Sequence, residues 1–332
     1  MRTITVLLQA LMFVVSITAA EGIRAQTPVS GPKGYPNKPV RLVVPYAVGG
    51  GNDLLARTLA QKLHERLGQP WIVDNRLGGG GNIGTDVVAK SPPDGYTLLL
   101  NVNALTMGPA LGEPLPYDAL RDLMPVAKMV TTPFILLVNP GVPANNIQQL
   151  VAYSLSNRGK FFYASPGTGT PHHLNMEWFK SITGMDAIHV AYKGASPSLA
   201  DAVAGRVQVM LGVGASAMPH VKGGRLRPIA TQGSQRLSYL KEVPTFDEAG
   251  VSHFDLAMWY AFFVPSATPK ETVNFLHVQV MRVREDQDVR KRLSGMGFEF
   301  VPEVSPEAFL AEMTAETKHW KKFVSDKGIK FK

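Results

Sequence analysis

The sequence predicts an α/β fold with two lobes, each a mostly parallel β-sheet flanked by helices. Short apolar and β-branched runs alternate with glycine-rich turns and helical patterns along most of the 332 residues. This alternation is typical of parallel sheets, because parallel strands must be joined by crossovers, which are usually helical. The alternation occurs in two series, and a chain of this length can form two ordinary cores. We therefore expect a cleft between two lobes, where ligands usually bind.

The N-terminal residues have the layout of a secretory signal peptide. Arg2 precedes an apolar run from Ile4 to Val15, small residues follow, and cleavage fits either after Ala20 or after Ala25. The run is about a dozen residues long, whereas a membrane-spanning helix needs roughly 20. We expect residues 1–25 to be a signal peptide that is removed on export.

Three strand-and-turn units predict the first lobe. The run Val40–Val44 leads through a glycine turn into a helix at Leu54–Leu67, in which leucines recur every four residues. The runs WIVDN and YTLLL supply two more strands, and helical residues Thr85–Lys90 lie between them. We assign residues 34–131 to this lobe.

A second series predicts the second lobe, residues 132–255. Its strands are the runs FILLV, FFYAS, IHVAY, VQVML and LRPIA, and helical patterns follow several of them. The helix that follows FFYAS is expected at about Asn175–Ile182, with Gly184 as its C-cap. Two series of sheet-building units indicate two lobes.

The run MWYAFFVP is expected to return the chain to the first lobe, which also receives residues 256–332. Two long helices end the chain. The first spans about Lys270–Arg284, and the second opens with Ser305 as its N-cap. The spacing of the large side chains predicts the buried side of the last helix: Phe309, Met313, Trp320 and Phe323.

Composition excludes several classes of function. The chain has no cysteine, which removes disulfides and thiolate metal sites from consideration. Its net charge of +8 favours anionic ligands, but the basic residues are dispersed and do not form a nucleic-acid surface. We expect no cofactor and no nucleic-acid partner.

One glycine loop resembles a dinucleotide-binding fingerprint. Gly79–Gly84 fits G-x-G-x-x-G between a strand and a helix. That fingerprint also requires an acidic residue at the end of the next strand, where this chain has Asn101 and Asn103. We therefore interpret the loop as lying close to the cleft, and we place Asn101 among the candidate ligand-binding residues.

Metal and hydrolase chemistry are also disfavoured. His173 and Glu177 are four residues apart on a helix, and His172 is adjacent, but no further ligand follows at a matching spacing. Neither Ser165 nor Ser196 lies in a G-x-S-x-G elbow. We expect no metal site, no catalytic residue and no enzymatic activity.

Three glycine-rich turns predict an anion site. Ala47–Asp53, Ser165–Thr170 and Lys193–Pro197 each follow a predicted strand and precede a predicted helix. In an open α/β sheet the ligand crevice lies beyond the carboxyl ends of the strands. The first N–H groups of a helix have no partner within the helix, and glycine lets an anion approach them closely. Together these turns favour the binding of a carboxylate.

Several landmarks give the chain a resemblance to a known family. The sequences PVRLVVPYAVGGGNDLLAR, FFYASPGTGTPHHL and HVAYKGASPSL occur in order. The chain resembles the TctC or Bug family, the periplasmic solute-binding proteins of tripartite tricarboxylate transporters. This resemblance implies a type II-like periplasmic-binding-protein clamshell, also called a Venus flytrap. It also implies a monomer that binds a small organic mono- or dicarboxylate and delivers it to integral-membrane transporter subunits.

In this family, two loops hold the carboxylate and a third forms the wall between them. The resemblance assigns ligand-binding roles in this chain to Tyr46, Ala47, Val48, Gly49, Gly50, Gly51, Asn52, Asp53, Ser165, Gly167, Thr168, Gly169, His173, Tyr192, Lys193, Gly194, Ala195, Ser196 and Pro197.

The chain departs from the family pattern at two places. Asn52 stands where a serine or threonine is common, and Leu211 and Gly212 replace a Phe-Asp pair. Without that carboxylate, the cleft is expected to disfavour cationic ligands and to leave room for a bulkier acid. Two alternatives stay open: an exported carboxylate sensor that partners a membrane kinase, and an exported enzyme acting on a carboxylic acid or ester.

Overall fold

The computed structural model describes residues 28–252, 254 and 257–327, and it confirms the two-lobed α/β fold. The predicted signal peptide lies outside these residues. Within the described part of the chain, no helix is both long enough and apolar enough to cross a bilayer.

Ten strands build two five-stranded sheets. The strands are β1 (Val40–Val44), β2 (Trp71–Asn75), β3 (Thr97–Val102), β4 (Leu123–Thr132), β5 (Phe134–Val138), β6 (Phe162–Ser165), β7 (Ile188–Ala191), β8 (Val209–Val213), β9 (Arg227–Thr231) and β10 (Met258–Pro265).

Helices cover the sheets on both faces. In the described residues they are α1 (Gly51–Leu67), α2 (Asn82–Ala89), α3 (Ala104–Met107), α4 (Ala119–Asp122), α5 (Ile147–Ser156), α6 (Pro171–Thr183), α7 (Ala195–Val203), α8 (Gly214–Lys222), α9 (Lys270–Arg284), α10 (Gln287–Gly295) and α11 (Pro306–Lys327).

The two sheets have the same topology. The first has the order β2-β1-β3-β10-β4, and the second has the order β7-β6-β8-β5-β9. In each sheet one strand, β10 or β5, runs antiparallel to both of its neighbours, and the other strands are parallel. These two strands come directly after the places where the chain passes between the sheets. We refer to the first sheet with its helices as lobe 1 and to the second as lobe 2.

The two passages between the lobes lie side by side. Strand β4 ends at Thr132 and β5 begins at Phe134, so the first passage is at Pro133. The chain returns at β10, where Met258 pairs with Thr132 in an antiparallel ladder. Adjacent passages are suited to a hinge, which we predict near 130–133 and 254–258. The lobe boundaries given above also stay predictions.

The last helix extends beyond lobe 1. Near its start, the Phe309 ring lies 5.1 Å from the Trp259 ring of β10, between centroids. Near its end, Trp320 and Phe323 pack against Trp178 of α6, with centroids 6.1 and 5.3 Å apart. The helix therefore contacts both lobes and connects them at a third place. The predicted lobe boundaries, which put the whole tail in lobe 1, do not include this connection.

Candidate functional site

The first turn of the site is fixed by an internal ion pair. The Asp53 carboxylate accepts a hydrogen bond from the Gly49 N–H at 3.0 Å, and its other oxygen lies 2.9 Å from Arg57. Asn75 donates to the same carboxylate at 3.1 Å and to the Tyr46 carbonyl at 3.0 Å. Gly49 adopts a φ of 81°, a left-handed conformation that favours glycine. Asp53 therefore fixes the conformation of the glycine turn through hydrogen bonds and an ion pair.

Asp53→Asn is expected to loosen this turn. Burial alone would raise the pKa of Asp53, but hydrogen bonds from Arg57, Gly49 and Asn75 outweigh burial and hold that pKa below its usual range. A lowered pKa stabilises the fold above the unfolded-state pKa of about 4, and this contribution disappears as the pH falls through the folded-state pKa.

We expect D53N to lose about 2 kcal/mol of unfolding free energy at pH 7, the scale of charged hydrogen bonds. The difference from wild type should shrink towards pH 3. Urea unfolding of both proteins at the two pH values measures it. A constant difference across this range would contradict the role of the ionised carboxylate.

The second turn, in lobe 2, is organised by Ser165. Its hydroxyl lies 2.7 Å from Nε2 of His189 and accepts a hydrogen bond from the Gly167 N–H at 3.1 Å. Thr170 donates from its hydroxyl to the Gly167 carbonyl at 2.6 Å. These bonds close the loop tightly before α6 begins at Pro171.

The stacked imidazole rings of His173 and His189 also contact this loop. His173 Nδ1 accepts a hydrogen bond from the Gly169 N–H at 3.1 Å, and its ring lies 4.0 Å from the His189 ring, between centroids. Burial lowers the pKa of His173 to about 4 and that of His189 to about 3. Both rings are therefore neutral at physiological pH, which leaves Nδ1 of His173 able to accept.

The third turn meets the first across the cleft. The Ser196 hydroxyl donates to the Val48 carbonyl at 2.7 Å, and this bond joins the two lobes. Gly194 lies against Ala47, because a Cβ atom built on Gly194 would be 2.6 Å from Ala47 Cβ. The Gly194 N–H also donates to the Pro166 carbonyl at 2.9 Å, which connects the second and third turns. The first and third turns, which we call the rims of the cleft, are thus in contact.

Behind these rims lies a small cavity of about 30 Å³. Residues from both lobes line it: Tyr46, Gly50, Gly51, Asn52, Val102, Pro166, Thr170, Pro171, His172, Ala195, Val213, Met258 and Tyr260.

Four helices begin at this cavity. They are α1, α6, α7 and α8, and the residues preceding them make no side-chain hydrogen bond to their first N–H groups. Elsewhere, Asp118, Asn146, Asp286 and Ser305 cap the helices that follow them, whereas α2, α3 and α9 also begin without a side-chain cap. Uncapped helix starts carry a partial positive charge of roughly half an elementary unit. The cavity therefore combines helix N–H groups that have no side-chain cap with a positive field.

The polar side chains of the cavity are uncharged. Burial raises the pKa of Tyr46 and of Tyr260, so both phenols keep their protons. Burial also lowers the pKa of His172 to about 3, which leaves this ring neutral. Nδ1 of His172 and Oδ1 of Asn52 are buried without a hydrogen-bond partner. The site could therefore receive an anion without a buried counter-charge.

A second cavity of about 280 Å³ lies on the other side of the 166–170 loop. Its lining includes Lys193 and Glu113, one residue of each charge sign, together with Asn82. Residues 167–169 line this second cavity, whereas Pro166 and Thr170 line the first. One loop therefore separates the two spaces.

The structure distributes the predicted site residues over five positions. Tyr46, Gly50, Gly51, Asn52 and Ala195 line the first cavity, and Gly167, Thr168, Gly169, Tyr192 and Lys193 line the second. Ala47, Val48, Gly49, Gly194 and Ser196 form the contact between the rims. Four residues lie behind the cavity walls: Asp53, Asn101, Ser165 and His173. Pro197 is in the first turn of α7.

Asn101 and His173 line neither cavity. The Asn101 amide donates to the Thr85 hydroxyl at 2.9 Å, and its carbonyl oxygen accepts from the Val102 N–H at 2.8 Å. Nδ1 of the His173 ring accepts the hydrogen bond from the Gly169 N–H that is described above. Both side chains support the site from a second layer, and direct ligand contact by either stays an untested prediction.

The sequence did not single out His172 or Tyr260 as ligand-binding. His172 was noted only as a neighbour of His173, and its position at the start of α6 was the one available signal. Tyr260 arrives on β10, whose placement depends on long-range pairing with β3 and β4. Gly212 borders neither cavity and packs on β5, because a Cβ there would lie 2.5 Å from Leu137. Gly212 therefore leaves no free space on the side of β5, and room for a bulkier acid in the cleft stays a prediction.

Comparisons with known proteins agree with this geometry. The profile described as "Tripartite tricarboxylate transporter family receptor" matches residues 55–329. The protein BugT of Bordetella pertussis is 33% identical over 316 residues, which cover 95% of this chain and 96% of that protein.

Two solved structures are also similar. Rpa4515 of R. palustris, solved with adipate, has a TM-score of 0.84 at 33% identity and covers 89% of this chain and 99% of its own. MatC of Rhodopseudomonas palustris, solved with bound malate, has a TM-score of 0.84 at 29% identity and covers 87% of this chain and 100% of its own. The chain belongs to the tripartite tricarboxylate transporter receptor family, the TctC or Bug periplasmic solute-binding proteins.

Proposed function

We propose that this protein is a periplasmic receptor that captures a small organic mono- or dicarboxylate between its lobes. It then delivers the acid to the integral-membrane subunits of a tripartite tricarboxylate-type transporter. In this proposal the mature protein acts as a monomer after removal of its signal peptide, and it performs no chemistry on the ligand.

One observation carries the proposal: four uncapped helix starts, from both lobes, converge on one buried cavity. Each start offers N–H donors and a positive field, and a carboxylate can accept several such bonds at once. Because donors come from both lobes, a bound carboxylate would stabilise the arrangement in which the rims touch. The ligand-binding roles assigned to the turn residues are part of this proposal.

Two similar proteins support the ligand class. Rpa4515 was solved with adipate and MatC with malate, and both ligands are dicarboxylates. The family description supports the transport role.

A thermal-shift screen of purified protein against mono-, di- and tricarboxylates tests the proposal. A ligand at about 100 times its dissociation constant should add about 2.7 kcal/mol to the unfolding free energy. Nucleotides and alkylamines serve as negative controls. The proposal fails if no acid shifts the transition, or if only the amines or nucleotides do.

A further inference from the structure

Next to the first cavity, the two lobes meet at a pair of glycines. Gly214 is the first residue of α8 in lobe 2, and Gly297 comes two residues after the end of α10 in lobe 1. A Cβ atom built on Gly214 would lie 3.3 Å from the Gly297 Cα atom and 3.2 Å from the Met296 carbonyl oxygen. Val213, which precedes Gly214, lines the first cavity. The contact therefore adjoins one of the helix starts that surround the cavity.

Gly297 is fixed to the end of the strand that leads into lobe 2. The Thr132 hydroxyl donates to the Gly297 carbonyl at 3.2 Å. Thr131 and Glu299 exchange two backbone hydrogen bonds, of 2.8 and 2.9 Å. Strand β4 ends at Thr132, directly before the first passage between the lobes. A turn of the lobes about this passage therefore changes the spacing between Gly297 and Gly214.

A tyrosine side chain of lobe 2 ends at this contact. The Tyr239 ring packs against the apolar core of lobe 2. Its hydroxyl oxygen would lie 2.8 Å from a Cβ atom on Gly214 and 2.7 Å from a Cβ atom on Gly297. The same oxygen is buried and has no hydrogen-bond partner among the described residues. A buried hydroxyl that makes no hydrogen bond destabilises the arrangement that contains it.

Groups that can pair with this hydroxyl lie close by. Tyr239 also lines a groove of about 360 Å³ between the lobes, together with the exposed residues Ser238, Ser294 and Glu299. A hydroxyl that moves from the glycine contact into this groove can bond to solvent or donate to the Glu299 carboxylate. A small turn of the lobes is therefore sufficient to relieve the cost.

We propose that Tyr239 is a positioning residue that favours separation of the lobes when no ligand is bound. Its unpaired hydroxyl destabilises the arrangement in which the rims touch, and a turn of the lobes releases it into the groove. A ligand that binds only when the rims touch must overcome this cost, which lowers its apparent affinity. This inference rests on the proposed capture of a carboxylate between the lobes and adds a residue that controls its strength without touching the ligand.

Tyr239→Phe tests the role of the hydroxyl. Titration calorimetry with malate and with adipate measures affinity, and small-angle X-ray scattering measures the radius of gyration of the ligand-free protein. We expect Y239F to bind at least about fivefold more tightly than wild type. Without ligand it should also be more compact than wild type, because the touching arrangement is more populated. Tyr153→Phe, the same chemical change on α5 of lobe 2, is the control and should alter neither quantity.

Gly214→Ala tests the contact from the opposite direction. The added methyl group meets the Tyr239 hydroxyl, and Gly297 prevents that hydroxyl from moving aside, so we expect binding to weaken at least about tenfold. Gly295→Ala, at the end of α10, is the matched control, because no atom lies within 4 Å of its Cβ position. Neither Gly214 nor Gly295 has a left-handed φ, so neither change strains the backbone. The double variant G214A/Y239F should regain at least about threefold in affinity, since the closest clashing atom is gone.

The outcomes distinguish this inference from the proposed function. Tighter binding by Y239F, with partial rescue of G214A in the double variant, supports the inference. Unchanged or weaker binding by Y239F overturns it, as does a loss in G214A that Y239F does not reduce. If wild type binds neither acid, scattering decides: a smaller ligand-free radius in Y239F supports the inference, and an equal radius overturns it. The proposed function is then judged by the wider screen of acids alone.

Discussion

Gly194→Ala is expected to weaken carboxylate binding by at least about 100-fold, which corresponds to about 2.7 kcal/mol. A Cβ atom on Gly194 would lie 2.6 Å from Ala47 Cβ and 2.8 Å from the Ala47 backbone nitrogen, across the cleft. Carbon atoms do not approach this closely, and a backbone atom cannot move aside as a side chain can. The added methyl group should therefore hold the rims apart and separate the helix starts that bind the ligand.

The control is Gly184→Ala, at the C-cap of α6. Gly184 has a φ of 74° and Gly194 a φ of 130°, so both substitutions strain the backbone. No atom lies within 4 Å of a Cβ built on Gly184, however, so that substitution adds strain without a clash. Calorimetry should show near wild-type affinity for G184A and strongly reduced affinity for G194A. Wild-type affinity in G194A would mean that the rims need not touch for binding.

Local sequence patterns were sufficient to predict most of the strands and the glycine turns. The turn after β1 is an example, because an apolar run, three glycines and a leucine repeat specify strand, turn and helix over about 30 residues. That turn contributes Gly50, Gly51 and Asn52 to the first cavity. These signals are local, because the backbone conformation of a glycine and the spacing of apolar residues in a helix each involve only a few neighbouring residues.

The rotation of a helix about its axis is harder to predict. His172 and His173 are adjacent, and consecutive residues point about 100° apart in an α-helix. The structure turns His172 towards the cavity and His173 towards His189. The sequence resemblance led to His173, since nothing in the local pattern states which side of α6 faces the cleft. That choice depends on tertiary packing, here on Phe134 and Tyr163.

Asp53 illustrates a second difficulty, in which one residue fits two roles. An acidic residue in the first turn of a helix at a predicted ligand site can touch the ligand or hold the turn. The structure pairs Asp53 with Arg57, Gly49 and Asn75, which is the arrangement expected for the second role, and direct ligand contact by Asp53 stays a prediction. A negative charge facing a carboxylate ligand would repel it, so neutralisation by Arg57 is consistent with anion binding.

Long-range contacts are the third feature that is difficult to predict from the sequence, and the packing of the last helix depends on them. The periodic large side chains predicted its buried side, and Phe309, Met313 and Trp320 are indeed each 1% exposed. The sequence did not indicate that the two halves of this side face different lobes. Phe309 packs on β10, whereas Trp320 packs on Trp178 of lobe 2. The helix therefore crosses the line between the lobes, and any hinge motion must accommodate the Trp320 contacts.

Trp320→Ala is expected to lower the unfolding free energy by about 3–5 kcal/mol, the range found when a buried aromatic side chain is truncated to alanine. The ring is 1% exposed and lies 5.4 Å from Phe323, between centroids. Its Nε1 is buried without a partner, so Trp320→Phe should cost less than the alanine change, because it also removes an unpaired donor.

Urea unfolding at pH 7 measures both losses, with Lys321→Ala as the control at an exposed neighbouring position of the same helix. We expect K321A to stay within about 0.5 kcal/mol of wild type. Because Trp320 contacts lobe 2 while Phe309 contacts lobe 1, loss of the indole should also weaken the cooperation between the lobes and broaden the transition. A loss below about 1 kcal/mol in W320A, with an unchanged slope, would mean that the helix end adds little to the joining of the two lobes.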